Sequence, residues 1–90
     1  MNNTVCNSEH RYDDLFVNLP FDQGRDGRHK CAGCAYVKGF QAGSKLDEKI
    51  DLDLENLPFS QAGNVRHKSP HAAFAMGYQA GVQHYYDNKL

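Results

Sequence analysis

Apolar residues recur along this chain with the period of a helix in two places. Ala32, Tyr36, Gly39, Phe40 and Gly43 fall at i, i+4, i+7, i+8 and i+11, one face of an amphipathic helix that follows Lys30. Pro70, Phe74, Gly77, Tyr78, Gly81 and Tyr85 form a second stripe. Here Ser69 supplies a helix cap and Pro70 a first-turn residue, and the helix is expected to reach about Tyr86. Between the stripes, Ile50, Leu52 and Leu54 alternate with Asp51, Asp53 and Glu55 at strand period, while Leu46, Ile50 and Leu54 are also spaced for a helix. The spacing predicts a helical extension to about Lys49 and then a short extended piece. The apolar stretch at residues 12–17 is its counterpart, so two brief strands have room to pair beside the helices.

The two stripes belong to a longer recurrence. Residues 18–43 return at residues 56–81 with a constant offset of 38 (Asn18 to Asn56). Asn-Leu-Pro-Phe-x-Gln, the triplet Arg-His-Lys and the closing Gly-x-Gln-Ala-Gly all stay in register. A repeated supersecondary unit buries its apolar face against its neighbour. The expected fold is therefore mainly α, two tandem loop-helix repeats (about 13–49 and 51–87) packed with pseudo-twofold symmetry in a single domain spanning 11–90. Residues 1–10 are polar and aperiodic and read as a flexible tail. In each Leu-Pro-Phe, proline biases its neighbour to extended geometry, which aims Phe21 and Phe59 at the core. Gly39, Gly43, Gly77 and Gly81 lie on the apolar faces, where an interior glycine costs about 1 kcal/mol relative to alanine. Their presence in both copies implies a close approach to that face, most simply by the other helix.

Composition narrows the function. A chain of 90 residues buries only about 60 to 65% of its unfolded surface, so a metal or a partner would add needed stability. With a net charge of -1 there is no global field to draw it onto nucleic acid or acidic lipid. No apolar run approaches the length of a membrane span, and Met1-Asn2-Asn3-Thr4 has neither a basic start nor an apolar signal core. A cytoplasmic protein is expected. Three cysteines, two of them close together, suit a metal or thiol role in a reducing compartment better than a disulfide framework.

Two residue sets carry candidate chemistry. Cys31-x-x-Cys34 and His67-x-x-x-His71 make a Cys2His2 set for zinc, because ligands two or three residues apart at a helix start converge on a tetrahedral ion without backbone strain. His29, Cys6 and His10 are substitutes for either histidine. The same Cys-x-x-Cys at a helix N-terminus is also the layout of a thiol redox protein. The second set is Arg28, His29 and Lys30 with Arg66, His67 and Lys68, placed just before both helix starts where open N–H groups favour an anion such as an RNA phosphate. No Ser/His/Asp relay, phosphate-binding glycine loop or catalytic carboxylate pair is present, and no catalytic residue is assigned.

At Gly77-Tyr78-Gln79-Ala80-Gly81, and at Pro20-Phe21 followed by Arg28 and Tyr36-x-x-Gly39-Phe40-x-x-Gly43, the chain resembles the ribosome modulation factor family. That family's small two-helix proteins carry a Gly-Tyr-x-Ala-Gly helix, and a Pro-Tyr segment leading to Arg and Trp-x-x-Gly-Trp-x-x-Ala. The resemblance implies ribosomal RNA binding and translational silencing under stress. Taken together, the residues predict a small non-enzymatic regulatory or adaptor domain that zinc stabilises and that has a protein partner. The alternatives are a ribosome- or RNA-associated stress factor and a thiol redox protein.

Overall fold

The computed structural model describes residues 5–6, 14–21, 29–60 and 68–88. Within them the chain forms two α-helices, α1 (Ala32–Ser44) and α2 (Pro70–Asp87), packed along each other, and no sheet. Short 3-10 turns at Asp14–Phe16 and Leu54–Asn56 precede them.

Both helices start in the same way. Ser69 is extended (φ -69°, ψ 117°), and its hydroxyl accepts the Ala72 N–H at 3.1 Å. Cys31 is also extended (φ -73°, ψ 112°), and its sulfur accepts the Cys34 N–H at 3.4 Å. A thiol thus serves α1 as a hydroxyl serves α2, each satisfying one of the open N–H groups of the first turn.

α1 stops at Ser44, short of the expected Lys49. Its end is a paired 6→1 and 5→2 closure, in which the Asp47 N–H donates to the Ala42 carbonyl at 3.0 Å and the Leu46 N–H to the Gly43 carbonyl at 2.9 Å. Leu46 takes the left-handed φ of 53° that this closure requires. The helical spacing of Leu46, Ile50 and Leu54 is therefore not used. Nor does the following alternation make a strand among the described residues. The Asp51 carboxylate accepts the Asp53 N–H at 2.9 Å, and Asp53 adopts φ 53°, so local side-chain bonding turns the backbone before it can extend. Extended pairing among the described residues is limited to isolated bridges: Val5 with Phe59, Phe21 with Lys68 and Lys30 with Phe59.

The helices touch backbone to backbone. A Cβ on Gly39 would press on the Phe74 carbonyl oxygen and lie 2.8 Å from the Tyr78 nitrogen, and one on Gly77 would press on the Tyr36 carbonyl. One turn on, a Cβ on Gly43 would strike the Tyr78 carbonyl and one on Gly81 the Phe40 carbonyl. No side chain fits at these four positions, which accounts for glycine where helix propensity disfavours it. Phe16, Leu19, Cys31, Ala32, Ala35, Leu57, Ala73 and Phe74 pack the core around the upper part of this contact, together with Cys6.

The segments before the helices cross over. The Cys31 N–H donates to the Pro58 carbonyl at 2.8 Å, and the Ser69 N–H donates to the Pro20 carbonyl at the same distance. Leu57-Pro58-Phe59 thereby docks on the start of α1, and Leu19-Pro20-Phe21 on the start of α2. Phe21 is not a core anchor: it is 64% exposed, and its ring lies 3.9 Å from the Lys68 ammonium. Phe59 is half-buried and stands 4.4 Å from the Lys30 ammonium.

Candidate metal centre

Three sulfurs meet at the start of α1. Cys31 is the N-cap, and Cys34, a turn later, projects from the same end of the helix. Cys6 arrives from the other side, fixed by its N–H donating to the Phe59 carbonyl at 2.7 Å next to the Val5–Phe59 bridge. Phe59 belongs to the same segment that holds the Cys31 N–H through Pro58. The stretch Pro58-Phe59 therefore sets the positions of both Cys6 and Cys31.

The three Sγ atoms all lie within 4.8 Å of one another, and the Cys34 thiol donates to the Cys6 sulfur at 3.5 Å. None of the three is in a disulfide. Zinc–sulfur bonds of about 2.3 Å in a tetrahedron put ligand sulfurs roughly 3.8 Å apart, so this spacing suits a single thiophilic ion. Cys6 and Cys31 are buried, and Cys34 is half-buried and forms the open side of the cluster. The Cys34 thiol pKa is pushed far up, first by its hydrogen bond with the Cys31 side chain, then by burial and by the proximity of Cys31 and Cys6. Three crowded thiols resist ionisation because each thiolate would face its neighbours; a bound cation reverses that balance and favours the deprotonated ligands.

Of the zinc set expected from sequence, Cys31 and Cys34 come together. Their companion is Cys6, one of the substitutes named above. His71 is exposed at the second residue of α2 and is not among the clustered groups. His67 and His10 lie outside the described residues. His29 is half-buried, and its carbonyl accepts the Ser60 N–H at 2.8 Å. The signal for Cys6 was the odd cysteine in a polar stretch, but nothing local pointed to its pairing with Phe59.

Within the basic triplets, the two lysines are turned inward onto backbone carbonyls. Lys30 and Lys68 are buried, at 5% and 8% exposure. Lys30 Nζ donates to the Glu55 and Leu57 carbonyls at 3.2 and 3.0 Å. Lys68 Nζ donates to the Val17 and Leu19 carbonyls at 2.8 and 3.1 Å. Val17 and Glu55 are matching positions of the recurrence, as are Leu19 and Leu57. Arg28, Arg66 and His67 lie outside the described residues.

No family model, curated protein or solved structure matches the chain. Among the described residues no helix is long and apolar enough to cross a membrane.

Proposed function

We propose that this chain is a small regulatory or adaptor domain without catalytic activity, whose two repeats are related by a pseudo-twofold axis and whose Cys6, Cys31 and Cys34 hold zinc. The observation that carries this reading is the convergence within 4.8 Å of three thiols, two from the start of α1 and one from far before it in the chain. Thiolate ligands favour zinc and other soft ions over the hard cations that prefer oxygen. The pseudo-twofold reading is supported by contacts that recur at matching positions: the Cys31–Pro58 and Ser69–Pro20 backbone bonds, the two lysine cages and the four glycine contacts.

The ion's contribution in this reading is to folding. It joins the N-terminal segment to the start of α1, and in a domain this small the metal-binding free energy is largely folding free energy. With the ion and the lysines committed to holding the molecule together, the domain acts through its surface on a protein partner.

The test is metal analysis of the protein purified from zinc-supplemented cells. One zinc per chain, a melting temperature that falls on chelation, and loss of the metal in Cys6→Ser support the reading. Metal-free protein whose melting is indifferent to added zinc rejects it.

A further inference from the structure

The three sulfurs are not equivalent, and the difference identifies a modification site. Cys31 is fully buried, and its sulfur accepts the Cys34 N–H at the start of α1. Cys34 is the half-buried member, so a reagent from solvent reaches it first. Its Sγ stands 3.5 Å from that of Cys6. That separation closes to the roughly 2.05 Å of a disulfide with a modest side-chain rotation. We infer that Cys34 and Cys6 form an oxidant-driven disulfide, with Cys34 the attacked thiol and Cys6 its resolving partner, which competes with the metal for the same site.

The oxidant is a hydroperoxide. The Cys34 sulfur attacks the distal peroxide oxygen; the O–O bond breaks, the alcohol (water, for hydrogen peroxide) leaves with the thiol proton, and Cys34 becomes a sulfenic acid. The Cys6 sulfur then attacks the Cys34 sulfur, the S–S bond forms, and the hydroxyl leaves as water with the Cys6 proton. Two thiols are oxidised by two electrons, and one hydroperoxide is reduced to alcohol and water. The product still tethers the N-terminal segment to α1, but removes two of the three sulfurs from metal binding. This inference rests on the thiol cluster described above and does not require that zinc be the resident ion.

The experiment treats the full chain, reduced and either metal-free or zinc-loaded, with hydrogen peroxide, then alkylates it under denaturing conditions and maps the peptides by mass spectrometry. The expected result is loss of two thiols per chain, a Cys6–Cys34 linked peptide and an alkylated Cys31, with any bound zinc released in step. The Cys31→Ser variant keeps the cap, since Ser69 fills the same role in α2, and should form the same disulfide. A dominant Cys31–Cys34 link, intermolecular links only, or no disulfide in either protein overturns the inference, whether or not zinc binds. A Cys6–Cys34 link in a protein that takes no zinc supports it and rejects only the zinc reading.

Discussion

Lys30 donates through Nζ to the Leu57 carbonyl oxygen at 3.0 Å, filling a cage built by the backbone before α2 and the Phe59 ring. Lys68 fills a cage built before α1 by Val17, Leu19 and Phe21. A basic side chain at these positions acts as a strut between one helix start and the segment that leads into the other helix.

Replacing a strut removes the ammonium and leaves two carbonyls of the cage without their donor. Lys30→Met is expected to lower unfolding free energy by about 2 to 4 kcal/mol, and Lys68→Met by a similar amount, since stranded buried acceptors lose more than the net worth of the bond. Urea denaturation of each variant measures this. A loss below about 0.5 kcal/mol would place these lysines among dispensable surface charges.

The glycine contact gives an expectation of opposite sign to intrinsic propensity. Gly81→Ala and Gly39→Ala each gain about 1 kcal/mol of helix propensity, yet their methyl groups meet backbone that cannot rotate away, so both should be net destabilised by more than about 2 kcal/mol or fail to fold. Ala75→Gly, on the exposed face of α2, should lose only about 1 kcal/mol. Thermal melts of the three variants side by side check the order.

Leu46 holds a conformation that leucine disfavours. Leu46→Gly should match or exceed wild-type stability, by up to about 1 kcal/mol, because glycine enters the left-handed region without penalty. Leu46→Val should be less stable than either, since β-branching makes that region worse. Equilibrium unfolding of both variants tests the sign.

The crowded thiols make the stability of the metal-free protein depend on pH. Cys34 is raised in the folded state, so its contribution is fully present below about pH 8.5, where unfolded thiols are protonated. It is lost as pH rises towards the folded-state value, because the unfolded chain releases that proton first. Metal-free protein should therefore melt progressively lower between about pH 8 and 10, and Cys34→Ala should flatten the trend. Melting that rises over this range would contradict the arrangement of the three sulfurs.

The helices were legible because a 3.6-residue stripe and the Ser69-Pro70 start are local signals, and α2 ends at Asp87, close to the expected Tyr86. The end of α1 was not, since glycine or asparagine normally marks a left-handed closure and Leu46 carries no such sign. Cys31 and Cys34 were visible as a pair, whereas Cys6 depends on backbone bonds to Phe59, made far along the chain. The triplets suggested an anion site, and the inward course of Lys30 and Lys68 was hidden for a similar reason. A lysine reveals its burial only through the carbonyls that receive it, and those lie 25 to 51 residues away in the chain.

The crossed cages also bear on how the molecule assembles. Lys68 and Val17 are 51 residues apart in sequence, and Lys30 and Leu57 are 27 apart, so neither strut forms until a long loop has closed. Loop closure of this kind is an entropic toll on the transition state, and helical proteins that avoid it fold fastest. The two helices here are local and quick to nucleate. The mutual clasp is the step that loop closure is expected to slow, and a chain still being synthesised cannot complete the Lys68 strut until the second triplet has emerged.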